Sequence, residues 1–456
     1  MPDSIVNRLI SGLHTLKGMD IKMKKAAYHN LGCKVNSYEM DAMLQALRQK
    51  GYEIVPFEEK ADLYIVNTCT VTNIADRKSR QMLHKAKKTN PEGIVVAVGC
   101  YVQSDTQAVE ADESVDLIIG NNKKKDLIQI LENYLEGVAQ ESVIDINHTS
   151  EYEEMKLGAT QEHTRAYIKI QDGCNQFCTY CMIPYARGRV RSRQKLDVLE
   201  EIKGLVSAGY KEFVLTGIHI SSYGNGSLLE LIQAIDEING VERIRLGSLE
   251  PRIVTKEFAD NLSKLKHICP HFHLSLQSGC ESVLKRMNRH YTPEEYMEGV
   301  NHLRAAFDHP AITTDVIVGF PGETNEEFAE TVQFVKKVDF YEMHIFKYSK
   351  RKGTKAAVMP NQVPEGEKAK RSMILQELEA QMSKKFREYY IGRKEQVLFE
   401  ERKEIEGAVY FVGHTKEYVK AAVECGSTDE RNLENEIIDI KLTSFVDSQV
   451  LLAQML

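Results

Sequence analysis

The sequence predicts an α/β protein in three parts: an N-terminal parallel α/β sheet, a central partial (β/α)6 barrel, and a small C-terminal β-barrel. Apolar runs alternate with amphipathic stretches over about 24–150, the pattern of strands and helices in a parallel sheet. The alternation repeats six times on a larger scale within 164–385. Beyond 386 the chain switches to closely spaced β-type runs, which suit a small barrel.

Residues 1–22 precede the first strand and read as an extension or an upstream start. The first part carries strands at 26–31, 63–67, 94–99 and 115–120, with helices at 37–50, 76–89 and 124–135. A polar run, 151–162, reads as a linker. The second part places strands at 166–170, 212–220, 243–249, 272–277, 313–319 and 343–346. Helices fall between them near 196–208, 227–238, 255–265, 293–306 and 325–337. Pro184, Pro251 and Pro321 each stand just beyond a strand or motif, where the chain must turn. A charged helix over 365–390 leads to short strands at 396–401, 408–413, 418–422, 437–442 and 446–452.

Composition narrows the class. Nine cysteines in 456 residues are too few for a disulfide scaffold. No run approaches the roughly 18 apolar residues of a membrane span. The first residues lack a signal peptide's apolar core, so a cytoplasmic location is expected. A net charge of −7 argues against a uniformly basic nucleic-acid binder, though not against a local basic surface.

Cys174, Cys178 and Cys181 form C-x3-C-x2-C within eight residues, with no fourth ligand beside them. A structural zinc site or an ordinary iron–sulfur cluster takes four protein ligands. Three cysteines on a 4Fe–4S cluster leave one iron open to a small molecule. Zinc would need a distant fourth ligand, and redox thiols would need only C-x2-C. Cys33, Cys69 and Cys100 lie far apart, yet each follows an apolar strand: AAYHNLGC, ADLYIVNTC, GIVVAVGC. Strand ends gather on one edge of a parallel sheet, so the three suit a second cluster, again one ligand short. The plainer alternative is small residues capping strands. Cys269, Cys280 and Cys425 show no such pattern.

C-x3-C-x2-C after the first strand of a βα barrel resembles the radical S-adenosylmethionine (SAM) enzymes. The upstream three-cysteine part and the C-terminal β-domain are similar to the methylthiotransferases. The resemblance implies a methylthiotransferase domain at 24–150, a radical SAM domain at 164–385 and a TRAM domain at 386–456. Asn30-Leu31-Gly32-Cys33-Lys34-Val35-Asn36 resembles the signature of the branch acting on threonylcarbamoyladenosine in tRNA. Branches acting on isopentenyladenosine or on a ribosomal protein differ there. A metal-containing RNA-binding protein without catalysis is the alternative from another class.

The resemblance also implies two 4Fe–4S clusters and SAM. The open iron would chelate SAM, whose reductive cleavage gives a 5′-deoxyadenosyl radical that removes hydrogen from C2 of the adenine. The second cluster would carry the sulfur. Expected partners are the tRNA anticodon loop, a flavodoxin- or ferredoxin-type electron donor and a sulfur source, acting with a monomer and no membrane. Tyr180, Gly217, Glu250, Gln277, Arg289 and Asp315 match elements that hold SAM in related enzymes.

Arg187, Arg189, Arg191 and Arg193 alternate just after the first motif. In an extended chain they share one face, a phosphate track for RNA. The lysine runs 85–88, 123–125 and 347–352 read as solvated surface. Residues 401–456 carry six basic and eleven acidic side chains. Their net charge cannot drive RNA binding, so shape, a local face, or stacking on Tyr410, Phe411 and Tyr418 would have to contribute.

Overall fold

The computed structural model describes residues 24–158, 164–425 and 432–456. The extension expected over 1–22 and most of the end of the expected linker lie outside them. The described residues form two compact units. One holds 24–158 with 172–175 and 181–191; the other holds 164–171, 176–180 and the residues from 192 onward.

In the first unit β1 (Lys25–Asn30), β2 (Glu53–Val55), β3 (Leu63–Thr68), β4 (Ile94–Gly99) and β5 (Leu117–Ile119) form one sheet. Its order is β2-β1-β3-β4-β5 and all pairings are parallel. All six residues of β3 and five of six in β4 are buried, as in strands covered on both faces. The helices Lys34–Gln49, Asn73–Thr89 and Leu127–Leu135 fall where helical periodicity predicts them. Among these strands β2 is unexpected, and so are the short helices Cys100–Ser104 and Thr106–Glu110; segments of three to five residues are too short to register as a period. The start of the expected linker is not loose: Glu153 and Met155 are buried. Tyr38 donates its hydroxyl hydrogen to the Met155 carbonyl.

The second unit begins with β6 (Arg165–Asp172), whose last residue belongs to the first unit, and continues past a two-residue strand, β7 (Arg191–Ser192). β8 (Glu212–Gly217) pairs in parallel with β6 and with β9 (Arg243–Leu246). β10 (His271–His273), β11 (Ala311–Val318) and β12 (Glu342–Lys347) form a second parallel set. Parallel bridges Ile244–Ile268 and Leu249–Leu274 link the two sets, so the strands follow one another as a partial barrel. Helices Lys195–Ser207, Leu228–Asp236, Lys256–Leu262, Pro293–Ala306 and Asn325–Val338 alternate with them. Two start with reciprocal capping boxes, Thr292 with Glu295 and Thr324 with Glu327.

After the helix Glu365–Tyr389, strands β13 (Lys394–Ile405), β14 (Ala408–His414), β15 (Lys420–Glu424), β16 (Ile437–Phe445) and β17 (Leu451–Met455) close a TRAM-like barrel. Val397, Phe399, Phe411, Ile440, Leu442 and Leu451 fill it. Charge ties this barrel to the βα strands. Buried Arg243 donates to the carbonyls of His414 and Gln396, and Arg245 to that of Lys416. Glu212 accepts from Arg245 at 2.7 Å. Burial opposes the charge on Glu212, yet Arg245, Arg165 and Arg243 hold its carboxyl down at about 2. No described helix is long and apolar enough to cross a membrane.

Candidate cluster and cofactor sites

β1, β3 and β4 are neighbours in the first sheet, so their carboxyl ends share one edge. Cys69 and Cys100 directly follow β3 and β4, and Cys33 precedes the helix that begins at Lys34. Gly32 has φ +111°, and a Cβ there would stand 3.3 Å from Cys69 Sγ. The Gly-Cys step therefore lets the Cys33 loop close on Cys69. Gly99, with φ +98°, makes the corresponding turn before Cys100; a Cβ there would meet Asn67 Oδ1 at 2.5 Å. Burial pushes the Cys69 thiol up to about 11, and the Cys100 and Cys33 thiols add to the rise. All three are free of disulfides.

Beneath these loops lies a buried polar network that spacing alone does not reveal. Arg187 forks onto Glu39 at 2.6 and 3.0 Å, reaches Asn36 Oδ1 at 2.6 Å and Asp172 at 3.2 Å, and donates Nε–H to Cys100 Sγ at 3.2 Å. Lys124 pairs with Glu39 Oε2, which also accepts from Arg187, and donates to Asn121 Oδ1 at 2.8 Å. Asn121 donates to Cys100 Sγ at 3.7 Å. Burial opposes the charge on Arg187, but Cys100, Glu39 and Asp172 hold it firmly protonated. Nitrogen donors at a sulfur suit a thiolate that ligates a cluster. Asn36 and Glu39 lie one helical turn apart, which places them on one face; Lys124 sits in a charged run that gives no such signal.

The arginine track is not formed. Arg187, Arg191 and Arg193 are buried. Arg191 donates to the carbonyls of Arg187 and Arg189, and Arg193 pairs with Glu201. Arg189 alone of the four is exposed. The segment is not one extended strand, since Arg187 ends a helical turn and β7 is two residues long. Lys124 likewise is fully buried rather than solvated. Phe411 is buried, and the Tyr418 ring is stacked on His414 and His271. Neither is presented for stacking on a base.

Around the second cysteine motif, Cys174 N–H donates to the Gly188 carbonyl at 3.0 Å. Gly173, φ +71°, leaves no room for a Cβ against the Arg189 carbonyl. In the other unit, segment 286–289 clamps 176–180. Thr179 N–H donates to Met287 O and its hydroxyl to Arg286 O, while Asn288 donates to the carbonyls of Gln176 and Phe177. Arg289 donates to Cys178 Sγ at 3.3 Å and to the Tyr291 hydroxyl at 3.1 Å. Burial opposes its charge, but Tyr291, Tyr180 and Cys178 hold it protonated.

Of the residues expected at SAM, Tyr180, Gln277 and Arg289 are brought together. Tyr180 donates its hydroxyl hydrogen to Gln277 Oε1 at 3.0 Å. Gln277 holds φ +66°, a left-handed conformation that non-glycine residues rarely adopt. Gly217 ends β8, where a Cβ would crowd the Gln171 carbonyl at 2.9 Å. Glu250 pairs with Arg252 at 2.7 Å. The Asp315 carbonyl accepts from Gln277 N–H, but its carboxylate stands 3.4 Å from His273 Nε2.

A partial βα barrel whose first strand leads into C-x3-C-x2-C defines a radical SAM enzyme. Residues 168–335 match the Radical SAM superfamily, and 25–120 match the family described as Uncharacterized protein family UPF0004. The chain is 43% identical to the threonylcarbamoyladenosine tRNA methylthiotransferase MtaB of Bacillus subtilis, over 87% of this chain and 90% of that protein. It is 43% identical to the MtaB of Aquifex aeolicus, over 81% and 91%. The tRNA-2-methylthio-N(6)-dimethylallyladenosine synthase of Pelotomaculum thermopropionicum is 34% identical, over 86% and 90%. The chain belongs to the MtaB family of methylthiotransferases. In fold it is similar to the radical SAM methyltransferase TsrM of Kitasatospora setae, with a TM-score of 0.56, 16% identity and 74% of each chain covered.

Proposed function

We propose that this enzyme converts N6-threonylcarbamoyladenosine at position 37 of tRNA, 3′ of the anticodon, to its 2-methylthio derivative. The observation that carries the reading is the pair of three-cysteine sets, Cys33/Cys69/Cys100 and Cys174/Cys178/Cys181, in an MtaB-like chain. Cys174, Cys178 and Cys181 would hold the cluster that binds SAM. Cys33, Cys69 and Cys100 would hold a second, bearing the sulfur to be transferred. A cluster and SAM, when bound, supply radical chemistry able to break an aromatic C–H bond that acid–base groups leave untouched.

The chain's own groups bind and orient. Arg289 fixes the Cys178 sulfur and would supply a permanent cation for a cofactor carboxylate. Tyr180 and Gln277 brace each other beside the motif, and Gln277 ties segment 277 to β11 through both its N–H and its carbonyl. Arg187 and Asn121 direct donors at Cys100. Gly217 and Glu250 would contact the amine and ribose of SAM. Turnover requires a one-electron donor of flavodoxin or ferredoxin type and a source of sulfur.

The test is nucleoside mass spectrometry of tRNA from cells lacking the gene, then complemented with it or with a Cys178→Ala version. The methylthio form of threonylcarbamoyladenosine is expected to vanish, returning only with the unaltered gene. Its persistence, with loss of the methylthio-isopentenyl nucleoside instead, would overturn the substrate. Absence of 5′-deoxyadenosine from the reduced, SAM-supplied enzyme would overturn catalysis itself.

A further inference from the structure

Three metal-ligating side chains outside both cysteine sets meet on one face of the β10-β11-β12 sheet. Backbone register places His273 beside Thr313 and Asp315 beside His344. Thr313 and Asp315 are two apart on β11, so alternation sends both to the face that carries the two histidines. One ligand atom from each of His273, Asp315 and His344 lies within 4.8 Å of the others. His273 Nε2 is 3.4 Å from Asp315 Oδ2, and the imidazoles stack with centroids 5.9 Å apart and planes 27° apart.

The tautomer is also provided for. His273 Nδ1 is 3.0 Å from Thr313 Oγ1. With the proton on Nδ1 donated to that hydroxyl, Nε2 keeps a lone pair facing Asp315. Metal-bound histidines are commonly oriented in this way, by a partner on the other ring nitrogen. A simple His273–Asp315 ion pair accounts for two of the residues but not for the third donor on the adjacent strand. Solvent reaches the set, since His344 is exposed and the other two are half-buried.

We propose that His273, Asp315 and His344 form a binding site for a divalent transition-metal cation of the zinc class. Two imidazoles and a carboxylate suit zinc and its neighbours, rather than the all-oxygen sets preferred by magnesium or calcium. Three protein ligands leave at least one coordination position open, as in zinc sites that bind a water or a substrate atom. The site is built from three strands of one rigid sheet, and it stands independently of which nucleoside the enzyme modifies.

The experiment uses the full chain with its clusters reconstituted, under anaerobic equilibrium dialysis against zinc ions, with metals counted by mass spectrometry. One zinc per chain is expected above the cluster iron. His344→Ala, a change at an exposed position, should weaken zinc binding by more than the roughly 10–100-fold that loss of an outer-shell partner costs. Iron content and cluster absorbance should be unchanged. His84→Ala, which removes an exposed imidazole beside Asp112, should bind zinc as the unaltered protein does. Thr313→Val should give an intermediate loss. Equal zinc binding by His344→Ala and the unaltered protein would overturn the site, as would no zinc binding by the unaltered protein.

Discussion

Replacing Arg187 by Met removes one guanidinium that serves four partners. All its N–H directions are used: Nε on Cys100, and the two terminal nitrogens on Glu39, Asn36 and Asp172. Met fills much of the volume, so the cost is chiefly electrostatic. Lys124 still faces Glu39 and Arg191 still lies 3.7 Å from Asp172, so each carboxylate keeps one cation. Removing one member of a buried ion pair costs about 3–5 kcal/mol. With those residual partners the lower end applies, about 3 kcal/mol, or roughly two powers of ten in an opening equilibrium. Hydrogen exchange read peptide by peptide isolates the unit, which a global melting curve of a two-unit chain does not. Protection in β1, β3 and β4 is expected to fall about a hundredfold, with β8 and β11 unchanged. Iron should drop by the share that the proposed second cluster would hold. Arg187→Lys should recover little, because an ammonium cannot fork across Glu39 while reaching Asn36 and Cys100. Protection within threefold of the unaltered chain, with full iron, would refute the reasoning.

Two further outcomes are expected. Glu212, ordinarily near 4.5 but held at about 2, contributes stability that is complete above the unfolded value and lost as pH falls through about 2. A shift of that size is worth about 3 kcal/mol, so Glu212→Gln should lose that much in urea unfolding of the second unit. The loss should be the same at pH 6 and pH 8, and a loss that changes between them would point to another group. Arg289→Lys keeps charge but loses the two-way contact with Cys178 and Tyr291. Reductive formation of 5′-deoxyadenosine should slow about 10–100-fold, with cluster iron retained, as read by chromatography beside iron analysis.

The parts of the chain that read correctly are those where chemistry and position coincide locally. Each of β1, β3 and β4 is an apolar run ending near a cysteine, and parallel pairing then brings the three loops together without further information. The arginines misled because alternation implies a shared face only in an extended chain, and 187–193 is mostly turn. Their partners were also out of view: Glu39 lies 148 residues from Arg187. A guanidinium faces a phosphate or a buried carboxylate with equal readiness, and only the fold determines which is present. Tyr418 misled for a related reason, since the arginines and histidines that occupy its ring come from β6, β9, β10 and β14. The His273–Asp315–His344 set went unseen because its members are single residues on three strands, with no spacing rule between them.

The two cysteine sets differ in how they come into being. Cys174, Cys178 and Cys181 are neighbours on the chain, so an unfolded segment already holds them within reach of one ion. Cys33, Cys69 and Cys100 depend on three strands lying side by side, and bringing distant segments together must precede any gain from doing so. Nothing holds the second set together until β4 has joined β3 during synthesis. Without the folded sheet only the local motif is at hand, so the sheet must be complete before the second set can compete. Under the proposed ligation, occupancy of Cys33, Cys69 and Cys100 would therefore report on whether the first sheet has folded, whereas occupancy of the local motif would not.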